Sequence, residues 1–271
     1  TNNNFPFIVF KPTGVGRFNL YNKVSSKVKL SEIENIEWLK VLKRYNTICD
    51  AALSNNVSVL IDAEESWMQD AADDLVAQMM KKYNKEKAIV FNTLQMYRWD
   101  RLDYLKNLNQ QAKTDGFFIG MKIVRGAYME KENLRAEENG YPTPICESKE
   151  ATDSNYDAAI LYMVENIDKM AIFAGTHNEL SSYKLMEYLQ ELNIEKKDSR
   201  IWFGQLYGMS DNISYNLAHF GYNVAKYVPY GPIESVMPYL FRRAEENSSI
   251  AGQTSREFAL IKKEVNRRKL I

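Results

Sequence analysis

Two cations, two small residues and a tyrosine stand together in Lys122-Ile123-Val124-Arg125-Gly126-Ala127-Tyr128, where an apolar run ends. Gly126 and Ala127 let the backbone approach a bulky ligand closely, as a phosphate or flavin cradle requires. An ordinary strand-to-loop corner with solvated cations has the same composition, and that reading stays open. A second set, Tyr239, Arg242, Arg243 and Glu246, falls at i, i+3, i+4 and i+7, on one face of a helix. Paired guanidinium forks can clamp a carboxylate, with Glu246 holding them in place. A solvated polar face is the alternative, since Ile233, Val236, Met237, Leu240 and Ala244 occupy another side. Lys11 and Asp62 end two successive apolar runs. At the mouth of a barrel they would be close enough for an ion pair, either purely structural or with one charge setting the state of the other. Thr176-His177-Asn178 puts three hydrogen-bonding side chains at another such end, whereas His219, late in a helical pattern, reads as structural.

These groups must be positioned by a regular frame, and the chain shows one. Seven apolar runs, Phe7–Phe10, Val57–Ile61, Ile89–Phe91, Met121–Val124, Ala171–Ala174, Ile201–Phe203 and Val224–Val228, each end in or carry polar residues. Asn92, Gln95, Gln205 and Tyr227 join those already named. Continuous apolar runs are the signature of parallel strands buried on both faces. A β/α barrel places its chemistry at the C-terminal ends of such strands. Helical patterns lie between them, over Ile33–Ile48, Asp70–Tyr83, Trp99–Ala112, Ser154–Asn166, Glu179–Leu192, Asp211–Phe220, Ile233–Asn247 and Thr254–Arg268. The alternation predicts an α/β fold with a parallel sheet. Glu132–Ser148, with Gly140-Tyr141-Pro142 and Pro144, reads as the longest irregular stretch, functional or mobile. Seven strands rather than eight leave an open sheet or an eighth strand upstream of this chain, and the second is favoured. Residues 1–271 are read as one catalytic domain.

Composition narrows the function. The 271 residues carry 35 basic and 35 acidic side chains, which argues against a backbone-driven nucleic-acid binder. Cys49 and Cys146 make no disulfide framework and suggest a reducing compartment. No apolar run approaches the ~18 residues of a membrane span, and no signal peptide is evident. Beginning at Thr1, the chain reads as a processed or trimmed end. No His, Asp or Glu cluster has metal-ligand spacing. Gly14-Val15-Gly16 lacks the third glycine of a dinucleotide fingerprint.

Five segments in order, Ile61-Asp62-Ala63-Glu64-Glu65, Val124-Arg125-Gly126-Ala127-Tyr128, Thr176-His177-Asn178, Leu206-Tyr207-Gly208-Met209 and Tyr239-Leu240-Phe241-Arg242-Arg243 with Glu246-Asn247, resemble the proline dehydrogenase family of flavoenzymes. The resemblance runs from Phe7 to about Ala251. It implies a distorted (β/α)8 TIM-type barrel binding FAD, with an upstream strand and a late helix across the barrel mouth that turns Tyr239 and Arg242 inward. It implies oxidation of L-proline to Δ1-pyrroline-5-carboxylate by hydride transfer to FAD, the first step of proline catabolism to glutamate. Arg242 and Arg243 would take the proline carboxylate, Lys11 and Asp62 form a charged floor, and Ile123, Tyr128, Leu206, Tyr227 and Tyr239 wall the ring. Ala63, Gln95, Arg125, Gly126, Ala127, Lys149, Thr176, His177, Gln205 and Glu246 match FAD-binding positions. Lys122 stands beside flavin N5 where many bacterial members have Arg, and with Asp62 is assigned to catalysis; Met129 replaces a frequent Trp. Tyr227 favours proline, because relatives preferring hydroxyproline carry a smaller residue there. A membrane quinone is the implied electron acceptor, reached by peripheral contact from the cytoplasmic or mitochondrial matrix side. The rival readings are a hydroxyproline dehydrogenase, another FAD barrel such as a methylenetetrahydrofolate reductase-like enzyme, and a non-catalytic ligand-binding barrel fragment.

Overall fold

Among the described residues, seven strands lie in one sheet in chain order: β1 (Phe7–Phe10), β2 (Ser58–Ile61), β3 (Val90–Gln95), β4 (Ile119–Val124), β5 (Met170–Gly175), β6 (Ile201–Leu206) and β7 (Val224–Tyr227). The pairings from β1 to β6 are all parallel. This computed structural model describes residues 5–234, 236–241, 259 and 261–268. Arg242, Arg243, Glu246 and parts of the last two expected helices lie outside the described residues. The chain divides into two units, Thr1–Gln205 with Asn212–Ala225, and Leu206–Asp211 with Lys226–Ile271.

In the first unit the apolar runs conceal an alternation. Val59, Ile61, Val90, Leu94, Met121, Ile123, Ile172, Ala174, Ile201 and Phe203 join one core with the surrounding helices. Their neighbours Leu60, Phe91, Ala171 and Phe173 form a second cluster, with Phe7, Val9 and Trp202 packed against it. One parity faces the helices, and the other faces inward. Phe7 on β1 meets Phe91, Phe173 and Trp202 edge-to-face at centroid distances of 5.8, 5.1 and 5.2 Å. A flat sheet with β1 at its edge could not bring that ring to β5 and β6, so these strands curl around a shared interior, as barrel strands do. Gly204 is an inward position with no room for more: a Cβ there would sit 2.2 Å from the Phe173 ring.

The α-helices as far as β7 are α1 (Phe18–Ser25), α2 (Glu32–Asn55), α3 (Ser66–Tyr83), α4 (Arg101–Asp115), α5 (Met129–Asn139), α6 (Lys149–Glu165), α7 (Glu179–Glu191) and α8 (Asp211–His219). Local chemistry starts and stops them. Ser31 and Glu34 form a capping box on α2, Ser148 caps α6, and Asn178 accepts from the amides of Leu180 and Ser181 to open α7. Ala71, Leu75, Val76 and Met79 are buried together on α3, as their spacing predicts.

Two expectations need correction. β3 does not stop at Phe91 but runs through Asn92 to Gln95, all buried. Asn92 donates to Asp73 on α3 at 2.9 Å, which lets a polar side chain face the helices. The first half of Glu132–Ser148 is not irregular, because α5 occupies it as far as Asn139, with Gly140 in the left-handed conformation at its C-cap. The helix lacks an apolar stripe because one of its buried residues is Glu132, which accepts from the Ser66 amide and Oγ at 2.6 Å each. A carboxylate there caps the start of α3.

Candidate functional site

The inward positions turn polar at the C-terminal ends of the strands. On β1 the inward series Phe7, Val9 leads to Lys11; on β2, Leu60 leads to Asp62; on β3, Phe91 leads to Thr93 and Gln95; on β4, Gly120 leads to Lys122. The strand registers, Phe10 with Ile61, Leu60 with Phe91 and Thr93 with Lys122, put Lys11, Asp62, Thr93 and Lys122 at one level.

The ion pair expected between Lys11 and Asp62 is made by a different cation. Lys122 Nζ lies 2.7 Å from Asp62 Oδ1, with side-chain exposures of 11 and 14%. The two residues are a strand apart, but the inward residue between them is the short Thr93, whose hydroxyl turns to the Ile61 carbonyl at 2.8 Å. A long lysine can reach across it. Lys11 Nζ instead donates to the Tyr128 hydroxyl at 2.9 Å. Surrounding protein works against the charge of Lys11. The bond to Tyr128 and the fields of Tyr128, Asp62 and Glu64 outweigh it, and its pKa is raised.

The loops after β1 and β2 are locked together. Glu64 accepts from the Thr13 amide at 2.9 Å and the Thr13 hydroxyl at 2.8 Å, so the turn after Lys11 is tied to the segment after Asp62. The Glu64 amide donates to Gln69, and its carbonyl accepts from Gln95 Nε2 at 2.9 Å. That bond orients the Gln95 amide and leaves its Oε1 buried with no protein partner. Ala63, in the middle of this segment, is buried.

Gly126 has a φ of +135°, and a Cβ there would lie 2.4 Å from the Tyr97 ring. The glycine is therefore required by the protein's own packing, apart from any ligand. Ala127 is exposed beside it, and Tyr128 follows as the N-cap residue of α5. Arg125 belongs to a separate constellation. Its Nε donates to Asp153 at 2.6 Å, and its terminal nitrogens to Thr176 at 2.8 Å and Ser181 at 3.0 Å. Asp153 also takes Lys149 at 2.8 Å. Burial acts to raise the Asp153 pKa, yet the bonds from Lys149 and Arg125 win and hold it low. Thr176 and Asn178 are engaged in holding this corner, and His177 between them is half-buried.

Two assigned residues face elsewhere. Ile123 has no exposed surface and sits in the helix-facing core, so it does not line an open pocket. Gln205 follows the helix-facing parity, donates to the Thr176 carbonyl at 3.2 Å and accepts from Ser214 at 2.9 Å. It supports Thr176 from behind. In the second unit, Tyr227 and Tyr239 lie with ring centroids 6.5 Å apart, and Leu206 is half-buried. Residues 233–241 are helical where described, with Ile233, Met237, Leu240 and Phe241 exposed and Tyr239 half-buried. Cys49 is buried and Cys146 half-buried, both as free thiols, and the described residues contain no metal-binding cluster. Sequence reasoning gives no role to Glu64, Asp153 or Ser181, although Glu64 lies in the segment Ile61–Glu65 and Asp153 stands four residues after Lys149, at helical i, i+4 spacing.

Known proteins resemble this chain. The model of the family described as Proline dehydrogenase matches residues 10–256. Carbapenem antibiotics biosynthesis protein CarD of Pectobacterium carotovorum subsp. carotovorum is 38% identical over 263 residues, covering 97% of this chain and 68% of that protein. Proline dehydrogenase 1, mitochondrial, of Homo sapiens is 38% identical over 243 residues, covering 89% of this chain and 40% of that one. The chain therefore spans less than half of the human relative. Proline utilization A (PutA) of Bdellovibrio bacteriovorus, solved after inactivation by N-propargylglycine, superposes with a TM-score of 0.79 at 24% identity, over 93% of this chain and 25% of that one.

Proposed function

We propose that this chain, which belongs to the proline dehydrogenase family, oxidises L-proline to Δ1-pyrroline-5-carboxylate with FAD as the hydride acceptor. The observation that carries the reading is the Lys122–Asp62 pair beside Lys11 and Tyr128, at the ends of inward-facing strands in a chain matched to this family along most of its length.

The residues present fit the cofactor. Gln95 is 4% exposed, and its Oε1 is an orphaned acceptor of the kind that a ring N–H satisfies. Arg125 and Lys149, with Thr176 and His177, suit an anionic diphosphate. Ala63, Gly126 and Ala127 offer backbone without bulk, Glu246 completes the set, and Gln205 acts through Thr176. When bound, FAD supplies the two-electron chemistry. Lys122 supplies positive charge where negative charge develops on reduction, and Asp62 fixes its ammonium.

Arg242 and Arg243 hold the substrate carboxylate in this reading, with Leu206, Tyr227 and Tyr239 against the ring. Lys11, kept cationic and tied to Tyr128, disfavours another positive charge beside it. That drives the substrate amine toward the neutral form, whose lone pair can form the C=N bond. Residues 1–271 act as one catalytic domain, and a membrane quinone, met at the cytoplasmic or matrix face, reoxidises it. Purified protein given proline and an artificial acceptor dye should reduce the dye and yield a cyclic imine that o-aminobenzaldehyde traps. No proline-dependent dye reduction would overturn the proposal, and faster turnover of hydroxyproline would reverse the choice of substrate.

A further inference from the structure

Arg125 is gripped more tightly than a charge recruited only for its field needs to be. Three of its five donors are taken by protein groups, on Asp153 of α6, Thr176 after β5 and Ser181 of α7. Its guanidinium lies over the Tyr156 ring at 4.5 Å. The Ser181 hydroxyl, while accepting from Arg125, donates to Asp157 at 2.7 Å. Asp153 and Asp157 stand one turn apart on α6, so a single helix face gives Arg125 one direct and one relayed anionic contact. The second oxygen of Asp153 takes Lys149, which joins the two cations through one carboxylate.

We infer that Asp153 and Asp157 are positioning residues for cofactor binding, fixing the Arg125 fork and its spacing from Lys149 so that both meet the FAD phosphates in one preset geometry. This rests on the reading that the chain binds FAD. Neither aspartate acts on FAD directly. Two effects oppose each other. A carboxylate between two cations weakens the positive potential offered to a diphosphate. The same carboxylate removes the freedom that two long side chains would otherwise lose on binding. Positioning says that deleting it loosens FAD, whereas screening alone says that deleting it tightens FAD.

The test is the Kd for FAD, read by flavin fluorescence as purified holoprotein is diluted. Asp153→Ala should raise Kd roughly tenfold or more. Asp153→Asn keeps one acceptor for Arg125 and should fall between Ala and the parent, and Asp157→Asn should give a smaller rise. In an Arg125→Met background, Asp153→Ala should change Kd by no more than about twofold, because its route of action is gone. Unchanged or tighter binding in both Asp153 variants overturns the inference, as does an undiminished loss in the Arg125→Met background. Should Asp153→Ala fail to fold, the Asn variants at 153 and 157 decide it by the same criteria. Parent protein that binds no FAD would overturn the functional reading and this inference together, an outcome distinct from a parent that binds FAD no better than its variants.

Discussion

Glu132 offers a sharp test of how the frame is held. It is fully buried, and its two oxygens receive the Ser66 amide and hydroxyl at 2.6 Å each, joining α5 to the start of α3. These helices follow the segments that carry Tyr128 and Asp62, so the contact bears on both. In Glu132→Gln, the new Oε1 can accept from the Ser66 amide, and the serine hydroxyl can rotate to accept from the new Nε2. Both bonds survive without charge assistance, and the favourable interaction with the α3 terminus is lost. The cost should be about 1–2 kcal/mol, which in a chain of this size lowers Tm by roughly 2–6 °C. Glu132→Ala leaves the Ser66 amide buried without its acceptor and opens a cavity, so about 3–5 kcal/mol is expected. Denaturant unfolding of both variants at constant FAD gives the order directly. If Glu132→Ala costs under about 1 kcal/mol, or no more than Glu132→Gln, the carboxylate is not holding the two helices as described.

Other outcomes follow from single contacts. Phe7→Ala should cost about 3–5 kcal/mol in unfolding experiments, because it removes the ring on which those of β3, β5 and β6 converge; a loss under about 1 kcal/mol would contradict the curled interior. Burial favours a higher Asp100 pKa, but hydrogen bonds from Arg101 and Arg98 overcome it and lower the value to about 2. A depressed carboxylate pKa stabilises the fold above the unfolded value and loses that contribution as pH falls toward the folded one. Asp100→Asn should therefore cost about 2 kcal/mol near neutrality, with the difference from the parent vanishing as pH drops from about 4 to 2 in a stability-versus-pH series. Arg243→Met should raise KM for proline by more than about tenfold in steady-state assays while FAD stays bound; unchanged kinetics would refute the carboxylate clamp.

The strand ends were legible because an inward charge interrupts an apolar run, and Lys11, Asp62 and Lys122 all sit at such interruptions. The parity was not legible, since both faces of these strands are apolar below that level. The helix-facing side of Ile123 and Gln205 is hidden for that reason: each is next to an inward residue in sequence and on the opposite face in space. The partner of Asp62 was misjudged because chain order suggests β1, whereas Thr93 is short enough for Lys122 to cross from β4. Helix α5 escaped notice because its buried side includes a carboxylate in place of an aliphatic stripe. The contact of Asp153 with Arg125 could not be read from sequence, because it depends on Arg125 turning toward α6 and α7.

The most direct measurement is the visible absorbance of the purified protein, recorded without oxygen before and after adding L-proline. A yellow protein whose oxidised-flavin bands bleach with proline, and not with NADH, is the predicted result. A colourless protein, or a flavin that proline leaves oxidised, would contradict the assignment.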